Sequence, residues 1–87
     1  MKTMILVTVS DTLQDRFEEF ESGELLFTDI EKANYFINKF LADYQLWIVD
    51  KDCYDSEDEP EINCQLTIKG RYTEETWIQT KEIEIIA

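Results

Sequence analysis

The chain has 87 residues, with 20 acids against 8 bases, no histidine and a net charge of −12. Its length fits one domain, and its 13% aromatic content sets it apart from acidic disordered tails, which lack the rings to build a core. The charge balance excludes direct nucleic-acid binding, which needs lysine and arginine to neutralise phosphates. The missing histidine removes the commonest general base and the Ser-His-Asp and Cys-His nucleophile systems.

Residues 3–9 are apolar and rich in β-branched side chains, which predicts a strand. In 11–21, Leu13, Phe17 and Phe20 stand at i, i+4 and i+7, one face of a helix. Ser10 or Asp11 is placed to cap that helix and Gly23 to end it. A rival strand over 16–21, turning at Ser22-Gly23, fits less well, so a short helix near 12–21 is expected. Residues 25–27 read as a short strand.

Thr28-Asp29-Ile30-Glu31 then matches a capping box, with the Thr28 hydroxyl accepting from the Glu31 amide. Ile30, Ala33, Phe36 or Ile37, Phe40, Leu41 and Tyr44 follow at helical spacing, predicting a helix over 29–43 with Asp29 and Glu31 at its positive end. Residues 45–50 carry Leu46, Trp47, Ile48 and Val49 and predict a strand with Trp47 buried. After the acidic loop 51–61, residues 62–72 and 76–86 alternate apolar and polar around a turn at 70–75. Strands 46–50, 62–71 and 76–86 are expected to pair as an antiparallel meander. The fold class is therefore α+β: residues 1–87 as one acidic domain, an antiparallel sheet of four to five strands with the long helix on one face.

Cys53 and Cys64 fit no zinc spacing. They could meet across a hairpin, but in a reducing compartment free thiols are the expected state. The first apolar run is too short for a signal peptide or a membrane span. The expected location is cytoplasmic, in the host cytoplasm if the chain is phage-encoded.

The excess charge is concentrated. Residues 50–61 hold seven acids and Lys51, net −6; residues 11–24 hold six acids and Arg16, net −5; the remainder is nearly balanced. Charge of this size self-repels, and its uses are solubility or attraction of a positive partner. Two glycines far apart cannot build a phosphate-cradling loop, and abundant carboxylates make no single pair informative as a catalytic dyad, so neither an enzyme nor a cofactor is expected. Counted from Asp50, the residues Asp52, Ser56, Asp58 and Glu61 fall at ligand positions of a twelve-residue calcium loop. The pattern fails where it needs glycine and has Asp55, and where it needs an oxygen ligand and has Tyr54. A solvated acidic loop is the better reading.

The candidate partner-binding residues are Asp50, Asp52, Asp55, Glu57, Asp58, Glu59 and Glu61, with Asp15, Glu18, Glu19 and Glu21 as a second patch. In the helical reading of 11–21, Asp11, Asp15, Glu18 and Glu19 fall near one face while Phe17 and Phe20 turn inward. Duplex DNA carries one charge per roughly 1.7 Å, so twelve charges at that density span about 20 Å, or about six base pairs. A symmetric dimer would double that to about twelve base pairs.

In size and charge the whole chain resembles the small phage-encoded DNA-mimic inhibitors, the anti-restriction and anti-CRISPR proteins that occupy the nucleic-acid channel of a defence enzyme. The resemblance is carried by the clusters at 11–24 and 50–61. It implies a basic nucleic-acid-binding protein as partner (a restriction, CRISPR or other nuclease, or a repressor), with no direct nucleic acid and no membrane. The alternative expectation is a small acidic protein–protein interaction module without mimicry. Its clusters would serve solubility, and Trp77 would be its best interface anchor.

Overall fold

A computed structural model describes residues 2–53 and 63–86. The elements in chain order are β1 (Lys2–Val9), α1 (Asp11–Arg16), a one-turn 3₁₀ helix (Glu18–Phe20), β2 (Glu24–Phe27), α2 (Ile30–Asp43), β3 (Leu46–Cys53), β4 (Cys64–Gly70) and β5 (Thr76–Ile85). One five-stranded sheet runs in the order β2-β1-β5-β4-β3, antiparallel throughout. The expected meander is β3-β4-β5. The first strand then closes against β5 and leaves β2 and β3 as the two edges.

Strand alternation divides the sheet into two faces. Ile5, Val7, Val9, Leu66, Ile68 and Ile78 point to one side and are buried with Ile30, Ala33, Ile37, Phe40 and Leu41 of α2. Opposite faces of β1, β4 and β5 show intermediate or exposed residues. The domain thus has two layers, with one sheet face uncovered. Its Cα radius of gyration is 12.9 Å and its extents are 42 × 28 × 19 Å.

Four expectations need correction. The capping residue of α2 is Asp29, not Thr28: Asp29 is extended (φ −153°, ψ 167°) and its Oδ1 accepts from the Lys32 amide at 2.8 Å. An aspartate one residue later offers a carboxylate at the same reach as the threonine hydroxyl, and a charged acceptor makes the stronger bond to an amide. The helix of 11–21 is interrupted at Phe17 (φ −121°, ψ 122°) and resumes as the 3₁₀ turn, because Leu13, Phe17 and Phe20 reach the core only with that break.

Trp47 is not buried but 48% exposed. It sits on an edge strand, paired with Lys69 on the uncovered face. The cysteines are not free thiols: Cys53 and Cys64 stand directly opposite in the β3–β4 register and form a disulfide. Compartment rules weigh average redox poise, whereas register brings this particular pair together.

Candidate functional site

The acids of 11–24 are displayed by a local fold that its apolar residues dictate. Ser10 caps α1, its hydroxyl accepting from the Leu13 amide at 3.4 Å and hydrogen-bonding Thr76 of β5. Leu13 and Phe20 are fully buried. Phe20 packs edge-to-face on Phe40 at 4.6 Å, and Phe17 packs on Phe40 at 5.0 Å and on Tyr44 at 4.6 Å. With the rings inside, Glu18, Glu19 and Glu21 are turned to solvent, where they line a shallow hollow with Ser22. Gly23, at φ 79°, takes the left-handed conformation that lets the chain turn into β2.

Arg16 is the one base of this stretch, and it does not neutralise the hollow. Its guanidinium donates to the Tyr72 carbonyl at 3.0 Å and to Thr73 Oγ1 at 3.5 Å, pinning the β4–β5 turn. The end of α2 adds Asp43 and Tyr44 to the patch. A hydrogen bond to the Glu19 carboxylate, with the nearby charges of Glu19, Asp43 and Glu18, holds the Tyr44 phenol above its ordinary pKa. Asp43 was not legible as a site residue. The signal was its place beside Tyr44 at the tail of an amphipathic helix whose Phe40 had to meet Phe17. Asp15 is exposed on α1 but does not line the hollow. Glu19 and Asp43 also line an apolar groove floored by Phe27, Phe36 and Phe40, and Lys32 and Lys39 line it with them, so the acid surface meets two bases there.

Asp50 and Asp52 belong to a different surface. The β3–β4 register shifts between Ile48 and Asp50, so Val49 is a bulge. A bulge re-aims the side chains that follow it. Asp50 and Asp52 therefore pair with Thr67 and Gln65 on the uncovered face, while Lys51 pairs with Leu66 on the helix side. Their Cα atoms are two strand residues, about 6.6 Å, apart. Asp52 ends a row that crosses all five strands through Gln65, Gln79 and Thr8 to Glu24.

The two predicted patches are thus not one surface. Glu18, Glu19 and Glu21 pack with the helix layer near the start of β3; Asp50 and Asp52 lie on the opposite sheet face. Asp55, Glu57, Asp58, Glu59 and Glu61 lie outside the described residues, as do Ser56 and the rest of the calcium-like spacing beyond Asp52. Among the described residues, no helix is long and apolar enough to cross a membrane and no acid or cysteine cluster is set to hold a metal ion. No protein-family model, curated protein or solved structure matches the chain.

Proposed function

We propose that the protein inhibits a nucleic-acid-binding protein by presenting carboxylates where that protein expects phosphates. The observation that carries this reading is the divorce of Arg16 from its own acidic stretch. The one base of the 11–24 stretch is spent on the β4–β5 turn, while Glu18, Glu19 and Glu21 face solvent and gain Asp43 from another element, with Lys32 and Lys39 at the border of the patch. Such a partner would be recruited fast and in a salt-sensitive way.

The test is affinity capture from host lysate at low salt, with the native chain and with a Glu18→Lys/Glu19→Lys/Glu21→Lys variant. A nuclease or repressor that is held by the native chain, released by duplex DNA and by salt, and lost with the variant supports the reading. A partner without nucleic-acid function, held in the presence of duplex DNA and at high salt, overturns it. That second outcome would favour an ordinary interaction module. Trp47 and Trp77 on the uncovered sheet face, 48% and 36% exposed, are the observation that supports this alternative.

A further inference from the structure

Among the described residues, one face of the sheet is left without a second layer. Register places Leu26 beside Leu6, and Met4 beside Ile83, at one corner of it. Trp77 and Trp47 stand at the other, 36% and 48% exposed. Between them runs the polar row from Glu24 to Asp52. Large exposed aromatics and aliphatics gathered on a flat face mark an interaction surface rather than scattered surface residues.

Charge decides what covers it. Alternation puts Glu24, Asp50 and Asp52 on this face, and Glu75 lines it beside Trp77, against Lys2, Lys69 and Lys81: four acids and three bases among the described residues, in a chain of net −12. A basic groove would select an acidic surface, and the described charges of this face are close to balanced. A two-fold interface sets one patch against a copy of itself, so a patch of single sign would repel itself and a patch holding both signs does not. Size agrees: five strands about 4.8 Å apart and about 25 Å long give a face of about 600 Å². That matches the low end of stable interfaces, about 600 Å² per partner.

We propose that a second copy of this chain covers the face, two sheets packing face to face with Trp47 and Trp77 as anchors. This stands independently of the inhibitory reading. It also carries the opposite salt dependence. The described charges of the face are close to balanced, but each copy bears twelve net negative charges that repel through space, so salt strengthens the dimer by screening them.

The experiment is analytical ultracentrifugation of the purified chain over a concentration series, at about 0.01 M and about 1 M NaCl, where the Debye length is about 30 Å and about 3 Å. The expected result is a monomer–dimer equilibrium whose association constant rises by about a hundredfold or more at high salt. Trp77→Gln and Trp47→Gln should each weaken it by about tenfold or more, as truncated anchors do. Both side chains are solvent-exposed, and unchanged circular dichroism and melting temperature would show that the variants fold. Tryptophan emission should shift to the blue with dimerisation in the native chain. A monomer at every concentration and both salts overturns the proposal and assigns the face to a different partner. A dimer that both tryptophan variants leave intact, or one that salt dissolves, overturns it as well.

Discussion

The Tyr44 phenol stands beside the Glu19 carboxylate, and this proximity joins the end of α2 to the acidic 3₁₀ turn. The two residues are twenty-five positions apart in sequence. The aromatic packing of Phe17 against both Phe40 and Tyr44 brings them together.

Tyr44 should ionise above the ordinary tyrosine value of 10.0, because the hydrogen bond to Glu19 and the surrounding carboxylate charges disfavour the phenolate. A raised folded-state pKa means that the contribution to stability is fully present below the unfolded value and is lost as pH rises through the folded one. Its window therefore lies above pH 10. Spectrophotometric titration of the phenolate should show the Tyr44 midpoint fall toward the ordinary value in Glu19→Gln, and no movement would contradict the contact.

The Cys53–Cys64 disulfide closes a loop whose ends are 11 residues apart in sequence. Cross-linking a loop of this size should stabilise the fold by about 2–3 kcal/mol, chiefly by restricting the unfolded chain. Urea unfolding with and without a dithiol reductant measures it. The Cys53→Ser/Cys64→Ser chain should match the reduced native protein and ignore the reductant.

Asp29→Ala should cost about 1 kcal/mol, as the loss of an N-cap does, because the Lys32 amide loses its acceptor. Thr28→Ala should stay within about 0.5 kcal/mol, as surface changes do. Chemical denaturation of the two variants distinguishes the caps, and equal losses would restore the capping box at Thr28.

Gly70 lies opposite Leu46 in the β3–β4 register, and a Cβ there would run into the Leu46 side chain. Gly70→Ala should destabilise by about 1–3 kcal/mol, the usual range for overpacking. Gly70→Ala combined with Leu46→Ala should lose less than the sum of the two single losses, since the obstructing branch is gone, and thermal melts of both single variants and the double variant would read the coupling.

Phe20→Ala should cost about 3–5 kcal/mol, because it empties a fully buried site between two phenyl rings. Glu18→Gln, Glu19→Gln and Glu21→Gln should each change stability by no more than about 0.5 kcal/mol. If their work is binding, the same three substitutions should move affinity far more than folding. A loss of stability comparable to that of Phe20→Ala would place them in the fold rather than on a display surface.

The α+β class, the helix over 29–43 and the last two strands were readable because each rests on a local period. The inward turn of Leu13, Phe17 and Phe20 was readable for the same reason. The acidic clusters were readable as composition: charge sits in sequence before it sits in space. What local pattern cannot carry is which side a residue faces once strands are paired. Trp47 reads as core within its own apolar run and is exposed because β3 is an edge. Asp50 and Asp52 point to the uncovered face because a single bulged residue, Val49, changes the phase of the strand. Cys53 and Cys64 become partners by register. Asp43 joins Glu18 and Glu19 only when Phe17 packs on Phe40. Sequence by itself determined how much charge this protein carries and which elements it forms. Tertiary structure alone decided that the described acids stand on two faces, that Arg16 turns away from its own acidic stretch and that a tryptophan-bearing sheet face is left open among the described residues, because pairing and packing act between residues far apart in the chain.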